Sequence, residues 1–191
     1  MILPIITAPD KRLKVKSQPV AAVDDDLRKL LDDMVETMRA APGIGLSAIQ
    51  VGVPKRVLVV ELEENAKLSS EENAAPPADA PRTTRYLVNP EIVWSSERVV
   101  FCEEGCLSLP DQFAEIERPA DIKVKYLDYH GQPQTLEAAG MLSRCIQHEM
   151  DHLEGKLFVD YLSELKRTRI RQKLERDQRH HAVKHPRETA L

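Results

Sequence analysis

The chain has 191 residues, of which 42% are hydrophobic and 30% charged, a balance typical of a soluble globular domain rather than a disordered or fibrous protein. No apolar run approaches the roughly 20 residues of a membrane-spanning helix, and the first residues lack the features of a signal peptide. Three cysteines, an odd number, favour free thiols or metal binding over a disulfide framework and predict a cytoplasmic protein.

The first predicted helix covers residues 24–40, where leucine, methionine and valine recur with helical spacing after three aspartates. The apolar run at residues 56–62 predicts a buried strand. Residues 63–85 are rich in Glu, Ala, Ser and Pro, which favours an exposed inserted loop rather than a site. Short strands are then predicted at residues 86–88, 91–94 and 98–102.

A hairpin is predicted next, because apolar residues alternate from Ile122 to Tyr126 and a turn at residues 128–131 leads to a partner strand at residues 134–138. A helix follows at residues 141–153, and Ser163 begins a last helix. Strands mixed with a few separate helices, without a repeat or a domain boundary, predict a single α+β domain over residues 1–191.

The last helix and tail, residues 163–191, contain nine Lys or Arg and four Asp or Glu, whereas the rest of the chain contains 18 basic and 27 acidic residues. A basic tail on an acidic body indicates either a solvated helix face or a contact with a polyanion. Three apolar residues of this helix are expected to pack on the body, namely Leu165, Ile170 and Leu174.

The segment from His148 to His152 has the pattern His-Glu-x-x-His. Residues four apart lie on one face of a helix, so two imidazoles at this spacing can bind one metal ion. Glu149, directly after the first histidine, is then placed to act as a general base. Catalytic sites of this kind usually have three protein ligands and one open position, so a third ligand is needed.

Several residues compete for the place of the third ligand. Phe158 stands where one class of hydrolases has a downstream histidine, and Glu175 is at the distance another class uses but lies in the basic helix. Cys145 precedes His148 by three residues and shares its helix face. Cys106 is favoured, because a thiolate binds borderline and soft divalent metals well and the glycine beside it allows close approach.

Three segments together are similar to a known family. Residues 43–50 (Gly-Ile-Gly-Leu-Ser-Ala-Ile-Gln), 104–108 (Glu-Gly-Cys-Leu-Ser) and 147–152 (Gln-His-Glu-Met-Asp-His) resemble, in this order, the signature motifs of peptide deformylase. That family removes the formyl group from the N-terminal formyl-methionine of new bacterial proteins. The likeness runs from about residue 5 to the basic helix, and one departure is Ser47, where the family usually has Ala.

The resemblance implies a fold of antiparallel β-sheets packed around a central helix that carries the His-Glu-x-x-His motif, with a C-terminal helix. It implies that Cys106, His148 and His152 bind one divalent metal ion. Fe(II) is favoured by the family, although the ligand types also allow Zn, Ni or Co. Glu149 would be the base, and the Gln50 side-chain amide and Leu107 backbone N–H would stabilise the oxyanion.

The resemblance also implies that formyl-methionyl nascent peptides are the substrates. An extended peptide is expected to lie along Ile44 and Gly45. The methionine pocket is expected to be lined by Ile44, Leu107, Cys145 and the stem of Arg144. In the family, a basic C-terminal helix is associated with docking to the ribosome.

Some alternatives stay open at this point. Cys145 either lines the pocket or competes as a ligand. Glu104 and Arg118 either pair to orient the Cys106 loop or leave Arg118 exposed. The motif also fits an endopeptidase with Glu175 as third ligand, or a metal-binding or ribosome-associated module without activity.

Overall fold

Three α-helices and seven β-strands make up the part of the chain that the computed structural model describes, residues 1–63 and 81–184. The helices are α1 (Asp25–Ala40), α2 (Gly140–Leu153) and α3 (Glu164–Lys184). The strands are β1 (Gly45–Ser47), β2 (Val57–Glu63), β3 (Arg82–Ser95), β4 (Val99–Cys106), β5 (Leu109–Pro119), β6 (Asp121–Leu127) and β7 (Pro133–Ala139). The predicted α+β class is therefore confirmed.

Five strands form one antiparallel sheet in the order β1–β2–β3–β6–β7, and β4 pairs with β5 in a separate two-stranded sheet. Strand β2 is buried on both faces, which explains its continuous apolar run. Leu58 and Val60 share a core with α2, whereas Val57 and Val59 share a second core with α1. The motif helix α2 thus packs on the large sheet, as the resemblance implied.

The two strands predicted at residues 86–88 and 91–94 are one strand, β3, with an irregular register between Val88 and Glu91. Asn89 has a φ of +49°. Its side-chain amide bonds the backbone N–H and C=O of Val20, both at 2.9 Å. Pro90 has no N–H to offer a neighbouring strand, so a bulge at this position costs no ladder hydrogen bond.

The loop predicted at residues 63–85 is too long at both ends. Glu63 belongs to β2 and pairs in register with Arg82, and residues 82–85 continue β3. These strands extend into a stretch whose polar composition favoured a loop, because cross-strand pairing outweighs weak local β-propensity. Residues 64–80 of the predicted loop lie outside the described residues.

Strand β5 has no counterpart in the sequence prediction. Buried and exposed residues alternate along most of this strand, but the buried face includes the charged Arg118 beside Ile116. Its partner β4 likewise turns Glu104 inward beside Cys102. Charged residues on a buried face disguise the period-two pattern on which strand prediction depends.

Helix α3 begins after Ser163, whose Oγ accepts a hydrogen bond from the Lys166 N–H at 3.5 Å. Leu174 is buried and Ile170 packs against the same core, which also contains Phe158. The expectation that Leu165 packs on the body is wrong, since it is 62% exposed. Among the described helices, none has an apolar stretch long enough to cross a membrane.

Candidate metal centre and active site

Helix α2 presents the two motif histidines side by side. The Nε2 atoms of His148 and His152 are 3.2 Å apart, and their rings meet edge to face with centroids 4.9 Å apart. The opposite face of the helix holds Ile146 and Leu153, which are fully buried in the core shared with the sheet. Packing of that apolar face therefore fixes the direction of both imidazoles.

Cys106 reaches the histidines from the other sheet. It ends β4 at a register shift after Gly105, and its Sγ lies 3.2 Å from His152 Nε2. The ligand atoms of Cys106, His148 and His152 all lie within 4.8 Å of one another. Glu175, the alternative third ligand, instead pairs with Arg171 on α3 at 3.8 Å.

The donor set fits one divalent metal ion. Two imidazole nitrogens and a sulfur converge on one point, and lone pairs this close repel each other unless a proton or a cation lies between them. Nitrogen and thiolate ligands suit zinc, iron and their neighbours rather than magnesium or calcium. Cys145 is absent from this cluster, and burial raises the pKa of its thiol well above the usual value, which disfavours it as a ligand.

A buried ion-pair chain supports His148 from behind. His148 Nδ1 lies 2.8 Å from Glu104 Oε2, so its Nε2 is turned towards the cluster. Arg118 donates two hydrogen bonds to Glu104, at 2.7 and 3.0 Å, and a third to Asp151 at 2.6 Å. Tyr161 donates to Asp151 at 2.9 Å and stacks on the Arg118 guanidinium.

The charges in this chain stabilise each other. Burial alone would raise the pKa of Glu104, but hydrogen bonds from His148 and Arg118 lower it to about 2. Arg118 is only 4% exposed, and its two carboxylate partners hold its pKa above the usual value. A carboxylate that stays ionised behind a histidine orients the ring and raises its basicity towards a metal.

Glu149 lies on the inner face of α2, next to β1. A Cβ built on Gly45 would be 2.5 Å from Glu149 Oε1 and 2.8 Å from Cys145 Sγ, so only glycine leaves room for the carboxylate. Ser47 Oγ lies 2.6 Å from Glu149 Oε2. Burial raises the pKa of Glu149, and neighbouring His148 and Ser47 partly offset this rise. A raised pKa suits a group that takes up and returns a proton near neutral pH.

Gln50 sits in a short 3-10 turn, Ala48–Val51, directly after β1. Its Oε1 accepts a hydrogen bond from the Ser47 N–H at 2.8 Å, which assigns the amide orientation. Its Nε2 then points to Ser108 Oγ at 3.1 Å and to Cys106 Sγ at 3.6 Å. The amide donor is thereby held at the edge of the metal cluster.

The family model described as polypeptide deformylase matches residues 2–168. The chain belongs to the polypeptide deformylase family. The resemblance of the three motifs is thereby confirmed, and the matched range includes every residue of the cluster described above.

Several relatives are similar over nearly their whole length. A peptide deformylase from Pelagibacter ubique (strain HTCC1062) is 54% identical over 170 residues, which are 89% of this chain and 91% of the relative. The one from Phenylobacterium zucineum (strain HLK1) is 50% identical and covers 90% and 94% of the two chains. The crystal structure from Ehrlichia chaffeensis has a TM-score of 0.83 at 44% identity, covering 94% and 98% of the two chains.

The residues expected to bind substrate gather beside β1. Strand β1 is at the edge of its sheet, and among the described strands it pairs with β2 alone, so its outer edge can accept another extended segment. The Cys145 thiol donates to the Ile44 carbonyl at 3.6 Å. Leu107 lies against Gly43, where a Cβ would be 2.8 Å from Leu107 Cδ1. Arg144 is one residue before Cys145 on α2, with its Nη2 3.8 Å from Met141 Sδ.

Three residues of the site were not predicted from the sequence. Ser108 belongs to the second motif but was not singled out, although its Oγ accepts a hydrogen bond from Gln50 Nε2 at 3.1 Å. Asp151 lies three residues after His148, a spacing that could have suggested a shared role. Tyr161 gave no signal, because only the folded chain brings it to Asp151.

Proposed function

We propose that Cys106, His148 and His152 hold one divalent metal ion and that Glu149 is the general base of the reaction. The chain is a metal-dependent hydrolase of the deformylase family, and it removes the formyl group from the N-terminus of nascent peptides. The observation that carries the assignment of roles is the convergence of the three ligand atoms beside a buried carboxylate. Formate and a free N-terminal amine are the products.

A bound divalent ion supplies a Lewis acid that activates water at neutral pH. Glu149 accepts a proton from the attacking water, whose oxygen forms a bond to the formyl carbon. The Gln50 Nε2 and the Leu107 backbone N–H donate hydrogen bonds to the negative oxygen that develops on that carbon. The carbon–nitrogen bond then breaks, and Glu149 returns the proton to the leaving amine.

The substrate is proposed to lie as an extended chain along the open edge of β1, using the backbone of Ile44 and Gly45. Its methionine side chain would enter a pocket formed by Ile44, Leu107, Cys145 and the stem of Arg144. A related deformylase supports this class of ligand. The Acinetobacter baumannii enzyme, 36% identical with a TM-score of 0.73 and covering 85% and 99% of the two chains, was crystallised with Met-Ala-Ser bound.

The direct test uses formyl-Met-Ala-Ser with anaerobic, metal-loaded protein. Formate should be released in stoichiometric amount, and mass spectrometry should find the intact tripeptide with a free amine. Acetyl-Met-Ala-Ser is the matched control and should react far more slowly. Cleavage of an internal peptide bond, or no reaction at all, would contradict the proposal and return the endopeptidase and non-enzymatic alternatives.

We propose Fe(II) as the ion used in the cell. A thiolate bound to a redox-active ion is open to oxidation at sulfur. The iron form should therefore lose activity quickly when it is exposed to air. The nickel form of the same protein should keep its activity. The measurement is formate release against time of exposure to air, and equal survival of both forms would count against iron.

We also propose that α3 brings the protein to ribosomes in the cytoplasm. In this proposal residues 1–191 form one catalytic domain with a basic helix and tail at residues 163–191. Four exposed cations recur at helical spacing along one side of α3, namely Lys166, Arg169, Lys173 and Arg176. A stripe of this kind matches the phosphate backbone of RNA, and it would raise the concentration of substrate near the site.

Changing these four residues to glutamine should weaken co-sedimentation with ribosomes at low salt. Binding should also depend less steeply on salt, because fewer counterions are released. Hydrolysis of a short formyl-methionyl peptide should stay within about twofold, since α3 contributes no residue to the metal cluster. The matched control neutralises four exposed cations elsewhere, Lys55, Arg82, Lys125 and Lys156. If both variants lose ribosome binding equally, the attraction depends on the net charge of the protein and not on α3.

A further inference from the structure

Ser47 lies between the two groups that act on the reacting centre. Its backbone N–H donates to Gln50 Oε1 at 2.8 Å, and its Oγ lies 2.6 Å from Glu149 Oε2 and 2.8 Å from the Glu149 carbonyl oxygen. The residue is fully buried. Any amino acid except proline supplies the backbone bond, but only a hydroxyl supplies the bond to the carboxylate.

We infer that Ser47 is a positioning residue that determines which oxygen of Glu149 takes up the proton. The terminal torsion of a glutamate is broad, so burial alone does not select one carboxylate orientation. Among the described side chains, Ser47 is the hydrogen-bond partner of this carboxylate, and it occupies Oε2. Oε1 has no such partner and lies beside Gly45, where the absence of a side chain leaves it room.

The hydroxyl can serve the carboxylate throughout a reaction cycle. With Glu149 ionised, Ser47 donates its single proton to Oε2, the stronger acceptor of the two within reach. When Oε1 has taken a proton, Oε2 is still a hydrogen-bond acceptor, so Ser47 can continue to donate to it. The Glu149 carboxyl therefore keeps one orientation while Oε1 gains and loses the proton.

Ser47→Ala isolates the hydroxyl, because alanine keeps the Gln50 bond and is the residue that the family usually has at this position. A hydrogen bond to a charged group is among the stronger ones, so kcat for formyl-Met-Ala-Ser should fall roughly tenfold. KM should stay within about twofold, since the carboxylate acts on the attacking water rather than on bound peptide. Metal content should be unchanged, since the metal ligands are untouched.

Two control substitutions test the role of Ser47. Ser17 is another buried serine whose Oγ has no partner among the described residues, so Ser17→Ala should leave kcat and KM unchanged. In a Glu149→Gln background, Ser47→Ala should cause no further loss, because the two residues act through one contact. A Ser47→Ala protein with wild-type kcat overturns the inference, as does an equal loss in both backgrounds.

The inference rests on the proposed role of Glu149, and the same measurements separate the two. If wild-type protein releases no formate, or if Glu149→Gln keeps wild-type kcat, the proposed function fails. If wild type is active and Glu149→Gln is not, but Ser47→Ala behaves as wild type, only the role of Ser47 fails.

Discussion

Replacing Glu149 by glutamine is expected to lower kcat by roughly 10²- to 10⁴-fold while the metal stays bound. Glutamine keeps the shape of the side chain in its tight place beside Gly45 but cannot accept the proton. The ligand atoms of the neighbouring histidines are untouched. Formate release at saturating peptide, together with elemental analysis of the same sample, measures both parts of the expectation.

Glu175→Gln is the matched control for this substitution. Glu175 pairs with Arg171 on the outside of α3, away from the cluster, so its loss should leave kcat unchanged. Near-normal turnover of the Glu149 variant would remove it from the role of base. A large loss of kcat in the Glu175 variant would instead support the alternative in which Glu175 is the third metal ligand of an endopeptidase.

Loss of the metal itself is expected from Cys106→Ala. The substitution removes one of three ligand atoms, so affinity should fall by more than the roughly 10- to 100-fold that loss of a supporting partner costs. Activity should disappear with the metal and should not return on adding stoichiometric ion. Competition with a chelator, followed by elemental analysis, gives the affinity without relying on turnover.

Cys102→Ala provides the comparison, since that buried thiol donates to the Ile116 carbonyl at 3.7 Å and is not among the three residues of the metal cluster. It should keep a full complement of metal. A Cys106→Ala protein that still holds one ion per chain would transfer the ligand role to another thiol, with Cys145 the nearest candidate on α2. Removing His148 or His152 tests the same cluster from the helix side.

The sequence predicted those elements whose pattern is set by one buried face. Helix α1, helix α2 and the hairpin of β6 and β7 show helical or alternating spacing of apolar residues. Strand β5 and the inner face of β4 carry Glu104 and Arg118, whose burial depends on each other and cannot be read from either segment alone. The bulge in β3 depends on a distant partner, the backbone of Val20.

The same division applies to the site. Short-range spacing and three ordered motifs pointed to the residues that the fold brings together at the metal cluster. Contacts that need a tertiary approach were missed, such as Tyr161 with Asp151 and Ser108 with Gln50. The effect of the departure at Ser47 cannot be predicted from the sequence, because it depends on the Glu149 carboxylate that the fold places 2.6 Å from the Ser47 hydroxyl.

The ligands of the proposed ion come from two separately hydrogen-bonded units. Cys106 ends a strand of the small sheet, whereas both histidines belong to the helix packed on the large one. A bound ion would therefore crosslink the small sheet to helix α2. Its binding free energy would add to the packing free energy that holds the small sheet against the rest of the domain. The chain cannot form the full ligand set until both units have folded and docked, so metal capture reports completed assembly.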